Sequence, residues 1–406
     1  MSTTRARTIA LTLATFAGIA YGQPSTESPD YWLSPSSGPL DTATLAAVWT
    51  DEERPELSTS DPTDRRKLLV HIWYPVAGID GAEHASYSTS IHLYRDWVGD
   101  FFGPIVSTPT RSVTKGALPA NPEHFPVIVY NPGAGFPAFT ATNQTEFLAS
   151  HGYIVVAVGR PESSSMRQFP NGDVFQADVT LESLSDQQMA EMSPTAIYKW
   201  RSDNPDQRSR LATQAADVAF VLDYLSRLGS DSELPFTGRM DLENVGVFGW
   251  SLGGATATQA AANDSRIKAV ANLEGALYGR PVATTGLTKP VLLIQAARNA
   301  GEPSDGTADP DFEEVSAEMN RELWQMLRLT NADWYRAVIL GADHNSFSDY
   351  YVTVPLPPSV APAREVHAVV NPLLLEFFDR YLRGSKDSPL LDGLQSLPLL
   401  RIASRP

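Results

Sequence analysis

Short apolar runs alternate with longer stretches of helical spacing along most of this chain. Lys67 to Tyr74 (KLLVHIWY) reads as the first strand, and Phe125 to Tyr130, Tyr153 to Val158, Asn244 to Phe248, Ile267 to Asn272, Pro290 to Ile294 and Trp334 to Leu340 read as further ones. Between them, Thr142 to His151 predicts a helix. Leu211, Ala215, Val218, Leu222 and Leu225 recur at helical spacing, and Leu252 to Ala262 predicts a helix of small residues. A last helix runs to Arg383, with Pro372 in its first turn after Asn371, Gly384 closing its end, and Glu376 and Arg380 as an exposed i,i+4 pair. Strands alternating with helices predict an α/β fold, a mostly parallel sheet with helices on both faces. The series is continuous, so residues 65–390 read as one domain, and no internal repeat is present.

The remaining segments lack this pattern. Residues 23–64 are rich in Ser, Thr, Pro and Asp and predict an irregular N-terminal stretch. Residues 80–123 read as a long insertion, and 161–205, with Pro161, Pro170, Pro194 and Pro205, as a second one that either covers a pocket or is a plain surface insertion. Residues 391–406 read as a tail. At the start, Arg5 and Arg7 precede an apolar stretch from Ile9 to about Ala20 and then small residues. This is the layout of a secretory signal peptide cleaved near Gly22, and it predicts a secreted protein. The apolar stretch is shorter than the ~20 residues a spanning helix needs, and no later segment is long and apolar enough. Asn143-Gln-Thr and Asn263-Asp-Ser are sequons for glycosylation.

Composition narrows the function classes. Hydrophobic residues make up 42% and charged ones 19% of 406 residues, which suits a folded chain with a sizeable core. A net charge of −16 without any basic run argues against nucleic acid or an anionic membrane as partner. The absence of cysteine excludes thiol catalysis, disulfides and cysteine–zinc sites. Oligomeric state is not legible.

The sharpest chemical signal is Gly249-Trp250-Ser251-Leu252-Gly253, followed by Gly254, between a strand and a helix. This is the context of a nucleophile elbow: a turn so tight that glycines must flank it, with the Ser251 hydroxyl pushed above the sheet edge at a helix N-terminus. A serine nucleophile needs a base. Of seven histidines, His71 lies within a strand, His84, His92 and His124 lie in or beside the first insertion, His151 ends a helix, and His367 belongs to the terminal helix. His344 follows a late strand, in the loop Gly341-Ala-Asp-His-Asn-Ser-Phe347, where a base can reach the elbow. The acid that orients the imidazole has more than one candidate. Glu274 ends the strand after the elbow; Asp305, Asp309 and Asp311 lie along a polar loop after the next strand; Asp343 adjoins His344. Asn299 stands near the position commonest for the acid and cannot carry the charge. Two backbone N–H groups must receive the oxyanion. Leu252 supplies one, and Ala134, in the glycine-flanked loop Asn131–Phe136, is favoured for the other; an ordinary glycine turn is the bland alternative for that loop.

With these residues in place, the chain resembles the secreted platelet-activating-factor acetylhydrolases and their microbial relatives, lipase-like members of the α/β-hydrolase fold. The resemblance spans roughly 65–385, in order, through Val70-His-Ile-Trp-Tyr-Pro75, Pro126-Val-Ile-Val-Tyr-Asn-Pro-Gly-Ala-Gly135, Leu148-Ala-Ser-His-Gly-Tyr-Ile-Val-Val-Ala157, the elbow through Ala255, and His344-Asn-Ser-Phe-Ser-Asp349. It implies an acid about two dozen residues past the serine, which falls on Glu274, and an oxyanion donor at Ala134. Glu274 stands where the family usually has Asp, Trp250 where the elbow often has His, and Asn131-Pro132 where the loop often has Ser-His. A related group with the same elbow hydrolyses polyesters, usually with its acid after the later strand.

The expected chemistry is hydrolysis of a small-molecule or lipid carboxylic ester with a short or medium acyl group, through Ser251, His344 and Glu274, without metal or organic cofactor. The rival readings are a cutinase-like or polyester hydrolase and a non-catalytic binding protein on the same fold.

Overall fold

The computed structural model describes residues 38–405, apart from 88–90, 95–97, 100–101, 104–108, 163–165, 176–190, 229–233, 279, 301–309, 354–355 and 358. The proposed leader, residues 1–22, lies outside the described residues, as do Asp305 and Asp309.

Among the described residues, eleven strands form one sheet in the order β11-β10-β9-β8-β7-β5-β6-β2-β1-β4-β3. The parallel centre comprises β5 (Phe125–Asn131), β6 (Ile154–Gly159), β7 (Met240–Trp250), β8 (Ile267–Leu273), β9 (Val291–Ala296) and β10 (Trp334–Ile339). The chain runs from β5 to β6 on one side and returns to β7 on the other. The crevice between the carboxyl ends of β5 and β7 is therefore a topological switch point, where α/β sheets place ligands.

The central strands are continuously apolar because both faces are covered. Val247, Val270 and Leu293 pack with α3 (Pro205–Arg227), α4 (Leu252–Asn263) and α6 (Pro310–Leu329). Their neighbours Phe248, Ala271 and Leu292 face the other way, against α1 (Thr142–Ser150) and α8 (Ala363–Leu382). Three short helices complete the described set: α2 (Pro194–Asp203), α5 (Pro281–Thr285) and α7 (Tyr350–Thr353). Among the described residues no helix is long and apolar enough to cross a membrane.

Several expectations are corrected. Part of the stretch expected to be irregular, Asp41–Pro55, is β1, paired antiparallel along β2 (Arg65–Val76); its polar residues lie on a half-exposed strand, while Trp49 stacks on Tyr224 at 4.2 Å. The expected tail contains β11 (Leu400–Arg405), antiparallel to β10 and largely exposed, so it carries little apolar signal. The first insertion adds β3 (His84–Ser86) and β4 (Pro109–Val113) to the sheet. The second includes α2, whose Ser193 cap accepts from the Ala196 N–H at 3.2 Å. Asp311 lies in α6, a helix, and not in a loop.

Pro372 lies inside α8 and does not start it. A proline within a helix costs ~3 kcal/mol. Val366, Val369, Val370, Leu373, Leu374, Phe377 and Phe378 are all buried along this helix, at ~1.5–3 kcal/mol each, and outweigh that cost. Glu376 and Arg380 do not pair on an exposed face: Glu376 accepts from the Leu390 and Leu391 N–H groups, and Arg380 donates to Tyr335 and Asp392. Of the two sequons, Asn143 is buried in α1 with its Oδ1 bonded to Asn371 at 2.8 Å, which closes it to modification in the folded chain, whereas Asn263 is exposed.

Candidate active site

The turn from β7 to α4 is made by one residue, Ser251, at φ 57° and ψ −125°. Such a conformation costs a non-glycine residue ~1–3 kcal/mol and persists only where its surroundings enforce it. They do so through glycines. A Cβ on Gly249 would collide with the Gly253 carbonyl, and one on Gly253 with the Asn131 carbonyl. The Ser251 N–H donates to the Leu273 carbonyl at 2.9 Å, which ties the turn to β8.

Glu274 directly follows β8 and also has a left-handed backbone, φ 59°. Together with Tyr278, these are the described non-glycine residues with positive φ, so two of the three sites of such strain are candidate catalytic positions. The Glu274 carboxylate is buried, its side chain 2% exposed. Its Oε1 accepts from the Ala296 N–H at 2.5 Å, and its Oε2 from the Asn299 side-chain amide.

His344 opens a 3-10 helix, His344–Phe347, after β10. Its Nε2 lies 2.9 Å from Ser251 Oγ, and its Nδ1 lies 3.4 Å from Glu274 Oε2. The first distance is that of a made hydrogen bond, and the second is of the loose kind that resting sites tighten on binding substrate. The ring is 21% exposed, so solvent and substrate can reach it. Trp250 holds the same loop from behind: its indole N–H donates to the His344 carbonyl at 2.7 Å. Its ring also packs against Phe136 of the glycine loop, with centroids 4.9 Å apart.

Asp343 does not approach the imidazole as an acid. It caps the 3-10 helix, accepting from the Asn345 and Ser346 N–H groups at 3.0 and 3.2 Å, and it also accepts from the Tyr351 hydroxyl. The other histidines stand elsewhere. His71 and His367 are buried, and loss of solvation pushes both imidazoles down to about 4. His84, His92 and His124 are exposed on the first insertion and just after it, and His151 Nδ1 contacts the Phe147 carbonyl at 2.8 Å.

The loop after β5 turns at Gly133–Phe136, where the Phe136 N–H donates to the Gly133 carbonyl at 3.1 Å. A Cβ on Gly133 would come within 2.7 Å of the Trp250 ring, so only glycine fits there. Ala134 is exposed at the tip, and Leu252 is half-buried at the first turn of α4. The loop is anchored through Asn131, whose Oδ1 accepts from Arg160 at 2.8 Å, and Arg160 in turn donates to Asp217. This support was not foreseen from sequence, and neither were the Trp250 and Asn299 contacts. No group of three or more His, Asp or Glu side chains able to hold a metal occurs among the described residues.

Comparison with known proteins agrees with this architecture. Residues 195–353 match a family described as PET hydrolase-like. A probable 1-alkyl-2-acetylglycerophosphocholine esterase of Arthroderma benhamiae is 22% identical over 251 residues, covering 61% of this chain and 52% of that protein. The chain is a distant homologue of the platelet-activating-factor-acetylhydrolase-like and PET hydrolase-like α/β-hydrolases. The platelet-activating factor acetylhydrolase of Canis lupus familiaris is 25% identical over 228 residues, 52% of this chain and 49% of that one. The match thus spans about half the length of these curated relatives. Among solved structures, a ferulic acid esterase from Streptomyces cinnamoneus superposes with a TM-score of 0.66 at 26% identity, covering 90% of this chain and 96% of that one.

Proposed function

We propose that this protein hydrolyses carboxylic esters by an acyl-enzyme mechanism, with Ser251 as nucleophile, His344 as base and Glu274 as the acid that orients it. One observation carries this reading: a strained, glycine-flanked serine whose Oγ lies 2.9 Å from an imidazole nitrogen, with a buried carboxylate behind the ring. His344 Nε2 takes the Ser251 proton as Oγ attacks the ester carbonyl carbon. The carbonyl oxygen becomes an oxyanion received by the Ala134 and Leu252 N–H groups. Collapse breaks the bond to the alcohol oxygen, which leaves with the proton from His344. Water then attacks the acyl-enzyme with His344 as base, the carboxylic acid departs, and Ser251 regains its proton.

Short or medium acyl esters are the proposed substrates, in keeping with the likeness to a platelet-activating factor acetylhydrolase and a probable 1-alkyl-2-acetylglycerophosphocholine esterase. A polyester or hydroxycinnamate ester is the second reading, favoured by the PET hydrolase-like match and the ferulic acid esterase likeness. The Ser251→Ala variant is expected to lose p-nitrophenyl acetate and butyrate hydrolysis by at least ~1000-fold, and to lose fluorophosphonate labelling, with an unchanged circular dichroism spectrum. Full activity in that variant would refute the proposal. A panel of acyl lengths, a phospholipid, a polyester and a feruloyl ester separates the substrate readings.

A further inference from the structure

Glu274 reaches out of its own strand end to the turn that follows the next one. Its Oε1 takes the N–H of Ala296, the last residue of β9, and its Oε2 is shared between His344 Nδ1 and the side-chain N–H of Asn299. Asn299 is itself clamped. Its backbone carbonyl accepts from Asn320 Nδ2 of α6 at 2.5 Å, Asn320 Oδ1 accepts from Gln295 Nε2 at 2.9 Å, and Gln295 Oε1 accepts from Arg336 Nε of β10 at 2.8 Å. Arg336 returns to the same turn, donating to the Ala300 carbonyl at 2.9 Å, and lies over the Trp324 ring at 5.0 Å. The ring of contacts joins β9, the turn, α6 and β10, and β10 leads directly to His344.

We infer that Asn299 is a positioning residue for the acid: its side-chain amide fixes the Glu274 oxygen that faces His344, and the Asn320–Gln295–Arg336 chain holds the Asn299 backbone from which that amide reaches. The inference rests on the esterase reading. It also accounts for the length of the acid. A carboxylate one methylene shorter at 274 would fall ~1.5 Å short of the Ala296 N–H and Asn299, which it must meet while still facing the imidazole. A buried carboxylate needs such donors, and amides supply them without a competing charge beside the imidazole.

The test is a double-mutant cycle on kcat and KM in the full chain, with Asn299→Ala, Glu274→Gln and the pair. Asn299→Ala is expected to lower kcat ~10–100-fold, as removal of an outer-shell partner does, with KM within twofold because Asn299 need not touch substrate. In the Glu274→Gln background the same change is expected to cost less than ~twofold, since it acts only through the carboxylate. A merely structural role would multiply the two losses, and that result, or an Asn299→Ala variant with wild-type kcat, overturns the inference. Asn299→Leu, which keeps the branched shape and removes the donor without adding a charge, runs the same cycle if the alanine variant fails to fold. Full activity in Glu274→Gln would refute the acid itself, and the inference with it. Collapse of Glu274→Gln together with independent Asn299 losses would refute only the positioning role.

Discussion

Two buried carboxylates brace the two sides of the candidate site, and they are opposite in character. Asp217, which reaches the glycine loop after β5 through Arg160 and Asn131, is gripped by three arginines: Arg54 at 2.9 Å, Arg66 at 2.8 and 3.1 Å, and Arg160 at 2.8 Å. Glu56 and Glu162 balance Arg66 at 2.9 and 2.7 Å. Burial alone would raise this carboxyl, but the guanidinium groups win and hold it at about 2. Asp349, at the end of the histidine loop, is bonded instead to neutral donors, the Tyr87 hydroxyl at 2.8 Å and the Asn143 N–H at 3.4 Å. Burial there, unopposed by a nearby cation, lifts its carboxyl to about 7. Equal burial therefore gives opposite protonation, and the partner decides which. The glycine-loop side stands on a charged network, and the histidine side on a group that is protonated below neutral pH.

The largest effect is expected on the charged side. Asp217→Ala removes the buried carboxylate that Arg66 and Arg160 share, at ~3–5 kcal/mol of stability in denaturant titrations. Because Arg160 also holds Asn131, esterase activity in the surviving folded fraction is expected to fall as well. A loss under ~1 kcal/mol would mean that the arginines find other partners.

The pH dependence sharpens the contrast. Asp217 binds protons more weakly folded than unfolded, so its contribution is complete above about 4 and is lost as pH falls through about 2. Asp349 binds them more tightly folded, so its contribution runs the other way: it is complete below about 4 and is lost as pH rises to about 7. Asp349→Asn is expected to remove that second slope, gaining ~2–4 kcal/mol relative to wild type between pH 4 and pH 8, as read from unfolding free energies at the two pH values. Parallel slopes in the two proteins would show that Asp349 stays ionised.

Arg54→Ala is expected to have the smallest effect, ~0.5–1 kcal/mol. Its side chain is 27% exposed, and Asp217 keeps Arg66 and Arg160. A loss as large as that of Asp217→Ala would mean that the network acts as one unit.

The central strands and the helices at 142–150, 205–227 and 252–263 were legible because burial on both faces, or on one helical stripe, leaves a periodic trace. The elements at the sheet margins were not. Strand β1 mixes Ala and Thr with acidic residues, and β11 is mostly exposed. Helix α6 carries Val315, Met319, Leu323 and Met326 at helical spacing, a readable stripe hidden behind the polar residues before it. At the site, Ser251 and His344 could be singled out because a one-residue strand-to-helix turn demands glycines and because few histidines follow a late strand. The supports could not. Asn299 looked like a lost acid, Asp349 stood out only as the end of the histidine-loop motif, and nothing in the sequence singled out Arg160, Asp217 or Tyr87.

The sequence by itself determined the alternation of strands and helices, the glycine-enforced bend at Ser251, and the short list of groups able to assist it. Those depend on neighbours in the chain and on local sterics. Resemblance had already pointed to Glu274 as the acid, and tertiary structure alone decided which amide holds that carboxylate and which buried acid is charged. Each of these depends on side chains dozens to hundreds of residues apart, whose distances and desolvation exist only once the sheet has brought them together.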